Sequence, residues 1–121
     1  MGELSSAIAI SAGHSLYCRG ASGILDEVDE ARRVVSRLAA LLEDSGIECK
    51  AYWDDISTTQ NENLNRITDW HNAQVRDLDI SVHFNAFEQV AKPMGCEVWY
   101  VTQSSLAKRL SAAIATASFI D

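Results

Sequence analysis

The chain has 121 residues, 47% of them hydrophobic, and a formal net charge of −7. That length suits a single domain over residues 1–121 with a modest core. The acidic balance argues against a nucleic-acid partner, since a phosphate backbone is bound by basic surface, and no apolar run approaches the ~20 residues that membrane insertion requires.

The start, MGELSSAIAISAGH, has no basic n-region and too short an apolar stretch for a signal peptide, so the chain is expected to be made in the cytoplasm. Within it SAIAIS (6–11) reads as a short buried strand. GHSLYCRG (13–20) follows, placing His14 just past the strand end. From Glu27 to Ser45 the residues Val28, Ala31, Val34, Val35, Leu38, Leu41 and Leu42 recur at spacings of three and four, an amphipathic helix that Gly46 stops. IECKAYW (47–53) alternates as a second strand. Thr59, with Glu62 three positions later, opens a polar-faced helix through a capping box. LDISVHFNA is a third strand and GCEVWYV (95–101) a fourth, and Ser104 caps a last helix through Leu106, Leu110, Ala113 and Ile114. The order predicts an α/β fold: three layers, with helices packed on a mainly parallel, twisted sheet. Ligands bind beyond the carboxyl ends of strands in such sheets. His14 and His83 both fall there.

Two-residue alternation puts Leu78, Ile80, Val82 and Phe84 on one face of the third strand and Asp79, Ser81, His83 and Asn85 on the other. A polar face is unusual for a strand expected to be central, although a face turned to solvent reads equally simply. At 100° per residue Glu27 shares a line with Ala31, Val34, Leu38 and Leu41, the stripe that faces the core. Glu27 could be one more partner of the helix dipole, beside Asp26, Asp29 and Glu30. A carboxylate on a buried face is costly without compensation, however, and a cation compensates it. Two histidines and a glutamate are the three-ligand set of a catalytic zinc site. His71 is a rival ligand that reads better as structural or exposed, and Cys18, four residues from His14, is another. The remaining cysteines, Cys49 and Cys96, lie far apart with no CxxC pair and read as small buried hydrophobes.

Taken together, AGHS, GASGILDEVDEARRVVSRLAALLEDSGIECKAY, STTQNENLNRITDWHNA, DLDISVHFNA and GCEVWYV resemble the zinc-dependent N-acetylmuramoyl-L-alanine amidases of the amidase-3 family, most of all the catalytic domains of phage endolysins. The resemblance runs from about residue 7 to about residue 115. It implies one Zn2+ per chain on His14, Glu27 and His83, peptidoglycan as substrate, and hydrolysis of the amide between the lactyl group of N-acetylmuramic acid and L-alanine. It also implies that Asn85 lines the site, contacting substrate or supporting a ligand, and that the chain acts at the bacterial cell wall once released. The glycines of RGASG let the loop fold closely over the metal or form an ordinary tight turn.

The tail, ATASFID, departs from the family. Family members carry a second glutamate on a last strand. Here Thr116 stands in its place if that strand joins directly onto the last helix, or the family's C-terminal part is absent altogether. Either way the resemblance leaves the second glutamate without a counterpart, and implies impaired proton transfer and an exposed C-terminal region able to pair into a homo-oligomer. The reading from a different class is a non-catalytic metal-binding module for wall recognition or assembly on the same fold.

Overall fold

A computed structural model describes residues 7–19, 26–84, 108–109 and 112–114. The chain divides into two compact units, Met1–Gln89 and Val90–Asp121. The first holds β1 (Ala7–Ser15), α1 (Glu27–Asp44), β2 (Glu48–Asp54), α2 (Gln60–Asn72) and β3 (Leu78–Val82). The strands form one sheet in the order β2-β1-β3, and both pairings are parallel.

β1 alternates small and branched apolar residues and lies between the other two strands, so both its edges are paired. Ile10 and Ala12 pack with Ala31 and Val35 of α1, and Leu38, Cys49, Ile80, Val82 and Phe84 surround them. Ile10 and Val35, fully buried, each contribute about 1.5–3 kcal/mol. Neighbouring Ser11 points the other way, where its hydroxyl meets His71 of α2. On that same face Tyr52, the register partner of Ser11, stacks on Trp70 with ring centroids 5.0 Å apart. The two helices therefore cover opposite faces of the sheet, giving the three layers that the sequence predicts.

Local signals account for the helix ends. Asp26 caps α1 by accepting from the Val28 and Asp29 amides, and Arg19 clamps the Asp26 carboxylate at 3.0 Å. Gly46, at φ 82, turns the chain out of α1 where a side chain would be strained. Thr59 caps α2 and accepts from the Glu62 amide at 3.2 Å. The buried stripe of α1 differs from the expected line. Val28, Ala31 and Val35 lie fully inside, whereas Val34 and Leu41 are 39% and 45% exposed. Glu27 remains on the inward side, at its first turn.

The expected central place of the third strand depends on a neighbour at 95–101, outside the described residues. Among the described residues β1 is the central strand, because it alone pairs with two others. β3 keeps the predicted alternation, with Leu78, Ile80 and Val82 half-buried and Asp79 and Ser81 exposed. In the second unit Lys108, Arg109 and Ala112–Ile114 are helical and exposed. The strand at 95–101, the cap at Ser104, and Cys96, Asn85 and Thr116 lie outside the described residues. No helix among the described residues is long and apolar enough to cross a membrane.

Candidate metal centre

β1 does not stop at Ser11. It runs on to Ser15, and its register with β2 shifts between Ser11 and Ser15. Gly13 and His14 occupy that irregular stretch. His14 sits at φ 64, in the left-handed region, which costs a residue with a Cβ about 1–2 kcal/mol. A Cβ at position 13 would overlap the His83 ring. Glycine is therefore required there by close approach, a constraint that the sequence reading sought in the later glycines, Gly20 and Gly23, which lie outside the described residues.

Three side chains converge at this strand end. The Glu27 Oε1 lies 3.3 Å from His14 Nε2 and 3.2 Å from His83 Nδ1, and it accepts from the Phe84 amide at 3.1 Å. The imidazoles meet edge-on, with centroids 5.2 Å apart. One ligand atom from each of His14, Glu27 and His83 falls within 4.8 Å of the others. Side-chain exposure rises from 4% at Glu27 through 14% at His14 to 44% at His83, so the cluster is buried at its base and open at its rim. His83 Nε2 lies 3.0 Å from Ser81 Oγ.

A divalent cation fits this arrangement on two observations. Imidazole nitrogens and a carboxylate are the donors that zinc and its neighbours prefer. In addition, His14 Nδ1 is buried without a hydrogen-bond partner among the described residues, beside a buried carboxylate. A site of this kind is costly unless positive charge shares it.

His71 is structural, as its sequence context suggested. It is buried, with Nε2 2.8 Å from Ser11 Oγ and Nδ1 2.8 Å from Asp79 Oδ1. Burial raises the Asp79 carboxyl, but the hydrogen bonds from Arg76 and His71 outweigh it and hold it below the ordinary value. Cys18 is outside the His14 cluster; its Sγ points to Gln60 Oε1 at 3.1 Å.

One network escaped the sequence reading. Asp54, at the end of β2, is fully buried. Its Oδ1 accepts from the Ile56 and Ser57 amides, and its Oδ2 accepts from Asn63 Nδ2. Burial opposes ionisation, but hydrogen bonding from the Ser57 side chain, Asn63 and the Ile56 and Ser57 amides prevails and holds the Asp54 carboxyl down at about 2. The loop so folded presents the Ser57 carbonyl to Ser15 Oγ at 2.7 Å. The available signal was local: an aspartate closing a strand, with a serine three residues on, is a turn-forming pattern.

The parallel α/β sheet thus carries, at the carboxyl ends of β1 and β3, a cluster able to hold a metal ion. The family model described as N-acetylmuramoyl-L-alanine amidase matches residues 8–119, and the chain belongs to that amidase-3 family. The chain is thus an amidase by family, and the family acts on peptidoglycan and is typically metal-dependent. No curated protein matches it.

Proposed function

We propose that the protein is a zinc-dependent N-acetylmuramoyl-L-alanine amidase of the phage or prophage endolysin type. It hydrolyses the amide between the muramic acid lactyl group and L-alanine in peptidoglycan, at the cell wall. His14, Glu27 and His83 hold one zinc ion. The observation that carries this reading is their convergence within 4.8 Å at the carboxyl edge of the sheet. We take residues 1–121 as one amidase domain, because the family match spans both compact units.

When bound, zinc supplies a Lewis acid for water and for the scissile carbonyl. The chain's own residues do the rest. Glu27 brings the negative charge that balances the cation, and the Phe84 amide fixes its Oε1. Ser81 steadies the His83 ring through Nε2. The open rim at His83 leaves a side by which a polymeric substrate can approach. Asn85, two residues after His83 in the sequence, contacts substrate or supports a ligand in this reading.

Turnover by this chain is slow in our reading. In that reading the family's second glutamate has no matched counterpart, whether Thr116 falls at its position or no segment of the chain corresponds to it, and the cluster among the described residues contains a single carboxylate, Glu27. Loss of a positioned acid–base group typically costs ~10²–10⁴-fold. The test has two parts. Elemental analysis of the purified chain should find one zinc, and digestion of peptidoglycan should release new L-alanine amino groups at a low rate. Metal-free protein that cleaves as well as the zinc-loaded protein would overturn the assignment.

A further inference from the structure

His14 is held in an unusual way. A ligating histidine is ordinarily oriented by a hydrogen bond to its second ring nitrogen. Here Nε2 faces Glu27, while Nδ1 has no partner among the described residues. The backbone is in the left-handed region at φ 64, an uncommon and mildly costly conformation for a residue with a Cβ. Contacts on either side fix the main chain. On one side Gly13 lies against the His83 ring. On the other is Ser15, fully buried, whose Oγ donates to the Ser57 carbonyl at 2.7 Å and accepts from the Cys18 amide at 3.0 Å. The Ser15 amide also donates to the Cys18 carbonyl at 3.3 Å.

The Ser57 carbonyl is itself placed. Asp54 draws in the Ile56 and Ser57 amides and is tied to α2 through Asn63. Arg66 Nε donates to Ser57 Oγ at 3.1 Å. Asp54 is also the register partner of Ser15 across β1 and β2. The carboxylate of β2, the loop that it folds and the hydroxyl of β1 thus form one buried chain ending one residue from His14.

We propose that Ser15 is a positioning residue for the metal centre: its bond to the loop that Asp54 folds holds His14 in the left-handed conformation that aims its ring at Glu27. The inference rests on the zinc reading of the His14, Glu27 and His83 cluster. It assigns to two buried residues outside the cluster a part in metal affinity, and not in fold stability alone. β1 supplies its own control. Ser11 is also fully buried and also hydrogen-bonded through its hydroxyl, but to His71.

The experiment is a zinc titration against a chromophoric chelator, with melting temperatures recorded on the same full-length samples. Wild-type chain should bind one zinc. Ser15→Ala should weaken zinc by about 10–100-fold, the range found when support behind a ligand is lost. Asp54→Asn, the milder change, should weaken it several-fold and serves if Ser15→Ala does not fold. Ser11→Ala should lower the melting temperature and leave zinc affinity unchanged. The double variant Ser15→Ala with Asp54→Asn should lose no more affinity than Ser15→Ala alone, because both act through one chain. Wild-type affinity in Ser15→Ala and Asp54→Asn, or an equal loss in Ser11→Ala, overturns the inference while the zinc reading stands. A wild-type chain that binds no zinc overturns both.

Discussion

Two histidine–carboxylate clusters share β1, and they are built on opposite principles. On the α2 face, His71 lies between Ser11 and Asp79, and each ring nitrogen has a partner at 2.8 Å. Asp79 is further held by Arg76. At the carboxyl end of the strands, His14 Nε2, His83 Nδ1 and the Phe84 amide all crowd toward one oxygen of Glu27. His14 Nδ1 has no partner among the described residues. The first cluster is complete with protein atoms alone and belongs to the fold. The second concentrates donors on one point and leaves a buried nitrogen without a partner among the described residues, the arrangement that the proposed metal would complete.

The largest test of that contrast is removal of a ligand. His83→Ala should reduce zinc affinity by more than the roughly 10–100-fold typical of losing a supporting partner, while His71→Ala leaves affinity as it was. Retention of stoichiometric zinc by His83→Ala would make the two clusters alike. Next comes chelation. At zinc about a hundredfold above its Kd, binding to the folded state alone stabilises by about 2.7 kcal/mol. Excess chelator should therefore lower the melting temperature, and an unchanged melting curve would count against a metal at Glu27.

His71→Ala should act on stability instead. It leaves Ser11 buried without its partner, a loss of about 1–3 kcal/mol visible in denaturant unfolding. Acid offers a related test of a fully satisfied carboxylate. The folded-state value of Asp54, about 2, lies below the ordinary 3.8, so its contribution is present above about pH 4 and disappears as pH falls through 2. On the order of 1–2 kcal/mol should be lost across that window, and Asp54→Asn should flatten this part of the stability profile. The smallest effect concerns the α1 stripe. Val34→Ala should change stability by no more than about 0.5 kcal/mol, against about 1–3 kcal/mol for Val35→Ala. Equal costs would restore the stripe that the sequence suggested.

That last pair shows where sequence patterns lose resolution. The helix bounds, the Thr59 cap and the alternation in β3 were legible because each rests on local chemistry. Val34 and Val35 are adjacent, and a helical wheel cannot say which of them meets the sheet; the position of Ile10 and Ala12 decides it. The set His14, Glu27 and His83 was legible because strand ends and the first helical turn restrict where side chains can point. The left-handed backbone of His14 and the support from Asp54 through Ser57 to Ser15 were not. Both depend on two loops meeting at the sheet edge, and neither loop carries a period. That β1 pairs with both other described strands was hidden for a similar reason, since parallel order is set by crossovers and not by strand composition.

The same crossovers set when the site can first exist. β1 is joined to the start of β3 by reciprocal bonds: the Ala7 amide donates to the Asp77 carboxylate at 2.8 Å, and the Asp77 amide donates to the Ala7 carbonyl at 2.8 Å, 70 residues apart in the chain. Glu27 and His83 are separated by 56 residues. Closing such long loops is entropically costly before any contact compensates, and sheets paired in this way form slowly. During synthesis no partial chain ending before His83 can present the full set of donors, whatever helix α1 has already formed. On the zinc reading, metal capture would therefore report that this part of the fold has closed. Zinc uptake followed in time during refolding would report closure of the third strand onto the first.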